Sequence, residues 1–269
     1  MTILDNASKH LVILLYIAGF LILAALLIRI IYEDRAVKAM RSILCTLAAA
    51  AVILACVYAA YRMPDHTLSD HPGSFEEIPA YENSPVTEIN GNMPFFTPED
   101  LQREPFEEYG ELDSLGRCTG AFAMISTEFL PSEEREPIQN IHPSGYHNAR
   151  YDGLIEDGYL YNRCHLIAFG LTGENANPRN LITGTRYMNI EGMRPYEYQT
   201  ISYIHRTGSP VLYRSTPVYI GDELVCRGVL LEAYSAEDSG ESVCFCIFVH
   251  NVQPGIRIDY ATGLSEAES

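Results

Sequence analysis

The sequence has few basic side chains. Its 269 residues include 18 Lys and Arg against 35 Asp and Glu, which gives a formal net charge of -17. Lys9 and Lys38 are the only lysines. This shortage excludes a protein that coats nucleic acid through a broad positive field, because such binding depends on many cations. A small basic site on an acidic body remains compatible with these numbers.

The sequence also lacks cysteine pairs at zinc-binding spacing, internal repeats and heptad arrays. The absence of any Cys-x-x-Cys pair argues against a zinc ribbon. Beyond residue 62 there are five cysteines, an odd number, so at least one is unpaired and the disulfide status of the set stays open: Cys118, Cys164, Cys226, Cys244 and Cys246. The 47% hydrophobic fraction excludes a mainly disordered chain.

Two long apolar runs stand at the beginning of the chain. Residues 11–28 contain no charge and the segment 29–32, which begins with Arg29, extends the run; residues 42–61 form a second uncharged run. Each run is long enough to cross a hydrocarbon core of about 30 Å as a helix. Buried core helices and a cleaved signal peptide are the alternatives, and the length and composition of the runs disfavour both. We therefore predict a two-helix transmembrane hairpin, with spans at about 11–32 and 42–61.

The basic residues near the two runs predict their orientation. The short segment between the runs carries Arg29, Arg35, Lys38 and Arg41, whereas Lys9 precedes the first run and Arg62 alone follows the second. Short loops rich in Lys and Arg stay in the cytoplasm. The rest of the chain is therefore predicted to lie outside the cell, at the surface of the cell membrane.

The remaining sequence divides by composition. Residues 63–92 are rich in Pro, Ser, Asp and Glu and predict a solvated tether between the anchor (1–62) and a globular domain (93–269). Within that domain, residues 96–112 predict a short surface helix. Short strands are predicted at 121–126, 211–220, 225–234 and 242–251, and a helix is predicted at 194–206. The gaps between the last strands are too short for crossover helices, so the fold class is α+β with an antiparallel sheet.

Arginine and asparagine are concentrated between residues 159 and 214. This window holds six arginines and only three acidic residues, although the chain beyond Arg62 has 32 acidic side chains against 12 arginines. Guanidinium groups match phosphate oxygens through paired hydrogen bonds. The window therefore indicates a site for a phosphodiester.

Several motifs in this window resemble one family. They are Asn162-Arg163-Cys164-His165, the segment 171–177 (LTGENAN) and the segment 180–189 (NLITGTRYMN). Together with matching segments as far as residue 264, they resemble the DNA/RNA non-specific endonucleases with a ββα-metal core, and in particular their streptococcal members. The family's signature tetrad is Asp-Arg-Gly-His, so this chain departs from it at Asn162 and Cys164.

The resemblance implies a hydrolytic site with one metal ion. His165 is the predicted general base, since an imidazole accepts a proton near neutral pH. Asn189 occupies the family's metal-ligand position, and the implied ion is Mg²⁺; whether Mn²⁺ substitutes for it stays open. Such a hard ion keeps most of its water and tolerates a sparse protein shell.

Four further residues receive roles from the same resemblance. Asn180 matches the asparagine that orients the site, and Glu197 matches an acid near the water shell of the metal. Arg163 is predicted to contact the substrate phosphate, and Arg186 is a second candidate for that contact.

Two functions of different classes follow. In the first, the protein is a membrane-anchored extracellular endonuclease that hydrolyses DNA and RNA with Mg²⁺ and without sequence preference. In the second, the altered tetrad and the acidic body belong to a non-catalytic nucleic-acid-binding module on the membrane. The presence of both His165 and Asn189 favours the first, because binding alone needs neither a base nor a metal ligand. The oligomeric state stays open.

Overall fold

The computed structural model describes residues 80–147 and 149–268, together with Leu21 and Thr46. The chain divides into two units, Met1–His66 and Thr67–Ser269, and every element named below belongs to the second. Apart from Leu21 and Thr46, the predicted transmembrane spans lie outside the described residues, and so does the first part of the predicted tether. Among the residues that are described, no helix is long and apolar enough to cross a membrane.

Six antiparallel strands form the main sheet, in the spatial order β1-β8-β7-β6-β3-β2. Their bounds are β1 (Val86–Glu88), β2 (Phe106–Tyr109), β3 (Ala121–Ile125), β6 (Val211–Val218), β7 (Gly228–Tyr234) and β8 (Cys244–His250). The pairs β6–β7 and β7–β8 confirm the predicted antiparallel meander. The predicted α+β class with an antiparallel sheet is confirmed.

Both faces of this sheet are buried. In β6, Val211 and Tyr213 belong to the larger hydrophobic cluster, whereas Leu212 belongs to a smaller cluster with Phe96 and Met124 on the opposite face. This alternation is the period-two pattern of a strand. The larger cluster also contains Cys164, Ile182 and Ile204, so the segments that carry these residues cover one face of the sheet.

The elements that carry the predicted site follow one another along the chain. They are β4 (Tyr161–His165), α1 (Phe169–Thr172), β5 (Leu181–Thr185), a π-helical turn (Met188–Met193) and α2 (Arg194–Thr207). β4 and β5 pair as an antiparallel ribbon, and α2 ends at Gly208, whose φ of 73° lies in the left-handed region that glycine tolerates. Two strands followed by a helix are the ββα arrangement that the resemblance implies. A second ribbon, β9 (Ile256–Ile258) with β10 (Ser265–Ala267), closes the chain.

Two parts of the structure differ from the sequence prediction. β1 lies within the segment that was predicted as a tether. This part of the chain belongs to the folded domain, since Val86 pairs with Val249 and packs on the larger cluster. The predicted helix over 96–112 is wrong: only a single 3-10 turn, Asp100–Gln102, forms there. Pro105 cannot continue a helix, and Phe106 instead begins β2 opposite Met124. All five cysteines beyond residue 62 are free thiols.

Candidate active site

Two neighbouring cavities meet at the β4–β5 ribbon and share the lining residues Arg135, Arg163 and Asn189. The smaller cavity, of about 310 Å³, is also lined by His165 and Glu197. The larger one, of about 590 Å³, is also lined by Arg186 and several tyrosines. The structure thus brings His165, Asn189, Glu197 and Arg163 to one cavity and Arg186 to the next.

Asn180 holds the backbone that follows β4. Asn177 accepts a hydrogen bond from the backbone of Arg179 and so caps the 3-10 turn that carries Asn180. The Asn180 side chain is fully buried; its oxygen accepts from the backbone N–H of Ile167 at 2.9 Å, and its Nδ2 donates to the carbonyl of Ile167 at 3.0 Å. This amide therefore fixes the backbone two residues beyond His165. It positions the site and does not reach the cavity.

The hydrogen bonds of His165 determine which ring nitrogen can accept a proton. Nε2 lies 2.9 Å from the carbonyl oxygen of Asn175, and because that oxygen can only accept, Nε2 carries the hydrogen in the neutral ring. Nδ1 therefore has the lone pair, which faces Nη2 of Arg135 at 3.4 Å. Burial, and to a smaller degree the charge of Arg135, lowers the pKa of His165 to about 4. The ring is accordingly neutral at pH 7 and able to accept a proton.

Glu197 is a buried carboxyl group in the first turn of α2, with 9% of its surface exposed. Burial raises its pKa to about 7, although the charges of Arg194 and Arg135 act in the opposite direction. Within the described part of the chain its carboxylate has no direct hydrogen bond or ion pair. A buried carboxylate in this condition attracts a cation or a hydrated ion.

Asn189 lies in the π-helical turn, half-buried, at the wall that both cavities share. Its Oδ1 accepts a hydrogen bond from the Cys164 thiol at 3.0 Å. Complete burial raises the pKa of that thiol well above its usual range, so it stays a hydrogen-bond donor at neutral pH. No group of three or more His, Cys, Asp or Glu residues able to hold a metal occurs among the described residues.

The two arginines predicted to contact phosphate already have partners. All three guanidinium nitrogens of Arg163 donate to the loop that crosses the cavity, to the carbonyls of Ile141 and Gln139 and to the hydroxyl of Tyr146. Arg186 forms an ion pair of 2.7 Å with Asp157. Arg163 therefore holds a loop in place, and the contact of either arginine with phosphate stays a prediction.

The arginines of the window 159–214 do not form one positive patch. Arg214 pairs with the buried Glu232 at 2.7 Å and packs over Phe96, on the sheet face opposite α2. Arg179 pairs with Glu111. The local excess of positive charge in the sequence is thus distributed over separate surfaces.

Two arginines without a predicted role line the smaller cavity instead. Arg135 is exposed on the loop between β3 and β4, and its Nη2 lies 3.4 Å from Nδ1 of His165. Arg194, exposed at the start of α2, has no ion pair among the described residues. The sequence has little signal for either: Arg135 stands alone in an acidic run, and Arg194 is one of six arginines in the window 159–214.

Asn175 connects the loop that carries Arg135 to His165. Its carbonyl oxygen fixes Nε2 of His165, its Nδ2 donates to the carbonyl of Glu136 at 2.8 Å, and its Oδ1 accepts from Nε of Arg135 at 3.4 Å. It belongs to the motif at 171–177, and its contact with His165 is visible only in the structure.

Comparison with known proteins places this cavity in a family. A family model described as DNA/RNA non-specific endonuclease matches residues 100–237, just over half of the chain. A deoxyribonuclease from Streptococcus dysgalactiae subsp. equisimilis is 26% identical over an alignment of 196 residues, and the match covers 58% of this chain and 59% of that protein. The chain thus spans about six tenths of the length of this curated relative.

Two solved structures have a similar fold. NucA from Streptococcus agalactiae, with a magnesium ion bound, has a TM-score of 0.62 at 25% identity, covering 70% of this chain and 90% of its own. Sda1 nuclease, with a zinc ion bound, has a TM-score of 0.51 at 28% identity, covering 59% of this chain and 80% of its own.

Proposed function

Since the chain belongs to the DNA/RNA non-specific endonuclease family, we propose that it is a membrane-anchored endonuclease that hydrolyses the phosphodiester bonds of DNA and RNA with one Mg²⁺ ion. The observation that carries the proposal is a single cavity lined by a neutral buried histidine, an asparagine, a buried glutamate and two exposed arginines. Base, metal ligand and phosphate-binding cations are the groups that this hydrolysis needs.

His165 acts as the general base through Nδ1. With Nε2 held on the carbonyl of Asn175, the ring is oriented and Nδ1 has the lone pair that takes a proton from the attacking water. The Arg135 guanidinium lies against Nδ1 at 3.4 Å. A substrate phosphate draws this guanidinium to its own oxygens, because a charged pair is stronger than a hydrogen bond to a neutral ring. Nδ1 is then free for the water.

The donor set fits a hard cation. Asn189 supplies an amide oxygen, and Glu197 supplies a carboxylate that has no direct partner within the described residues. Oxygen ligands of this kind suit Mg²⁺, and a magnesium ion is bound in the NucA structure. When bound, the ion neutralises the phosphoryl oxygens and stabilises the leaving oxygen. Glu197, held in a buried position by α2, accepts hydrogen bonds from the water around the ion.

Arg194 and Arg135 bind the phosphate. Both are exposed and line the cavity that holds His165. Arginine donates in a planar fork that matches two phosphate oxygens. Arg163 contributes indirectly, since it fixes the loop residues 139–146 over the site.

The test is plasmid nicking by the full-length protein, with Mg²⁺ or with EDTA. We expect the wild type to cut only with Mg²⁺ and His165→Ala not to cut. His205→Ala, which changes an exposed histidine of α2 that does not line the cavity, should cut like the wild type. Equal cutting by the wild type and His165→Ala refutes the mechanism. Binding of DNA without cutting in the presence of Mg²⁺ would instead support the non-catalytic binding module.

Metal titration then identifies the ion. The zinc ion bound to Sda1 nuclease makes Zn²⁺ the relevant competitor, and Mn²⁺ is the expected substitute for Mg²⁺. We expect Mg²⁺ and Mn²⁺ to support cutting. Activity with Zn²⁺ alone would refute the assignment of the ion while leaving the base in place.

The membrane anchor is a separate part of the proposal, supported by the apolar runs and the basic segment between them. An impermeant thiol reagent applied to intact cells should label Ser69→Cys in the tether and not Ala36→Cys between the spans. Reversed labelling would invert the topology, and labelling of both would refute the hairpin.

A further inference from the structure

Cys164 stands where the family tetrad has glycine, and its thiol contacts the candidate metal ligand. We propose that Cys164 is a positioning residue, which fixes the amide oxygen of Asn189 through an S–H···O hydrogen bond and so prepares it for the metal ion. This inference rests on the proposed function, because it takes Asn189 as the ligand.

The contact is specific. Sγ of Cys164 lies 3.0 Å from Oδ1 of Asn189, whereas the other acceptor near it, Sδ of Met193, is 4.0 Å away. Cys164 is 1% exposed, so the thiol has no solvent to bond with. The hydrogen bond therefore forms in a dry environment, where it is stronger than at the surface.

The neighbouring strand provides the room for the thiol. Cys164 pairs with Ile182 in the ribbon, and Gly184 lies two residues further along β5. A Cβ placed at Gly184 would lie 2.8 Å from both Cβ and Sγ of Cys164, closer than real contacts allow. The position of the sulfur beneath Asn189 thus depends on the missing side chain at 184. This chain thus has Cys164 at the position of the tetrad's glycine, and Gly184 of the adjacent strand leaves the space for its side chain.

The chemistry of the two groups explains the effect on the metal site. A thiol donates one hydrogen, and an amide oxygen has two lone pairs. The hydrogen bond from Cys164 occupies one lone pair of Asn189 Oδ1 and leaves the other for a cation. It also fixes the orientation of the amide, because the thiol can donate to the oxygen and not to the NH₂ group. A ligand that is oriented before the ion arrives binds it more tightly than one that must be ordered on binding.

The test compares two variants of nearly equal size, Cys164→Ala and Cys164→Ser, in the full-length protein in detergent. Mn²⁺ affinity, measured from the electron paramagnetic resonance signal of the free ion, is the main measurement. We expect Cys164→Ala to bind Mn²⁺ roughly two- to tenfold more weakly, the factor that one neutral hydrogen bond provides. Cys164→Ser keeps a donor and should stay close to the wild type.

Thermal unfolding separates positioning from packing. Both variants remove the sulfur, so both should lower the unfolding temperature to a similar degree, although only the alanine variant should lose affinity. Unchanged Mn²⁺ affinity in Cys164→Ala, or an equal loss in Cys164→Ser, overturns the inference.

Asn189→Ala distinguishes this inference from the proposed function. We expect this variant to lose the Mn²⁺ site. If it binds Mn²⁺ like the wild type, Asn189 is not the ligand and the metal site of the proposed function is wrong. If Asn189→Ala loses the ion and Cys164→Ala does not, the metal site stands and only the role of Cys164 is refuted.

Discussion

Replacing Glu197 by glutamine should stabilise the protein at high pH while abolishing its activity. The Glu197 carboxyl group is 9% exposed, and burial raises its pKa from an ordinary value of 4.5 to about 7. At pH 8 the folded protein must therefore keep a charge in a poorly solvated position. Glutamine has nearly the same shape and no charge, so Glu197→Gln removes this unfavourable contribution.

The shift in pKa gives the magnitude and the sign. Between pH 4.5 and 7 the folded state binds a proton at Glu197 that the unfolded state releases, so stability falls as the pH rises through this window. Above pH 7 the whole penalty is present, and two and a half pKa units correspond to about 3 kcal/mol. At pH 5 about 1 kcal/mol of it has developed. Glu197→Gln should thus exceed the wild type by about 3 kcal/mol at pH 8 and by about 1 kcal/mol at pH 5.

The assay is thermal unfolding of the full-length protein in detergent with EDTA, at pH 5 and pH 8. A gain of about 3 kcal/mol corresponds to roughly 6 to 12 °C for a domain of this size. Glu191→Gln, which changes an exposed glutamate of the preceding π-helical turn, is the control and should leave the unfolding temperature nearly unchanged at both pH values. The nicking activity of Glu197→Gln should be lost at pH 8, as expected for a strained group kept for function.

A Glu197→Gln variant that is no more stable than the wild type at pH 8, or equally stabilised at both pH values, would refute this reasoning. The carboxylate would then be compensated by a favourable partner in the folded protein. The burial argument for a cation beside Glu197 would be lost with it.

Three further predictions concern Arg135, Gly184 and Arg194. Arg135→Ala should raise the pKa of His165, because a positive charge beside the imidazole is removed, and should move the acid limb of the kcat/KM profile to higher pH; an unmoved limb would exclude this influence. Gly184→Ala should destabilise the domain by about 1 to 3 kcal/mol in urea unfolding through its collision with Cys164, and Cys164→Gly in the same chain should restore stability; a double variant as unstable as the single one would disprove the collision. Arg194→Ala should make the slope of log binding constant against log salt shallower by about 0.9, the value for one duplex phosphate contact, in EDTA-containing binding assays; an unchanged slope would remove Arg194 from the phosphate site.

The strands of the meander were predictable because their residues alternate. In β6, successive residues face two different hydrophobic clusters, and in β7 and β8 every second residue belongs to the larger cluster. The helix α2 was predictable from Pro195 near its start and from the length of the segment. These signals are local, so a single sequence contains them.

The β4–β5 ribbon was not predicted as strands, although it contains the site. Its residues are those of the chemistry: asparagine, arginine, cysteine and histidine in β4, threonine and glycine in β5. In β4 most of these residue types have a low preference for strands. The ribbon is buried because it packs with α2 and the main sheet, and these contacts are not visible in the sequence. β1 was missed for a similar reason, since its pairing with β8 joins residues more than 150 positions apart. Long-range pairing leaves no periodic signal in so short a segment.

The site shows the same division between identity and role. The family motif was enough to select His165, Asn189 and Glu197, which line one cavity. It did not determine that Arg163 donates to a loop, because that depends on how residues 126–160 cross the cavity. A motif specifies which residue types are needed in a strand, whereas the partners of a long side chain are decided by whichever loop approaches it.

Charge counting illustrates why composition alone gave an incomplete answer. The window 159–214 has twice as many arginines as acidic residues, yet Arg179, Arg186 and Arg214 each pair with an acid that lies outside the window in the sequence. Arg135, outside the window and between two glutamates, reaches Nδ1 of His165. The positive charge at the cavity is thus set by which guanidinium groups lack a carboxylate partner in three dimensions. An acidic protein can bind phosphate at a cavity of this kind. An arginine that is paired with a carboxylate adds little to the positive potential, whereas an unpaired arginine beside the cavity contributes most of it.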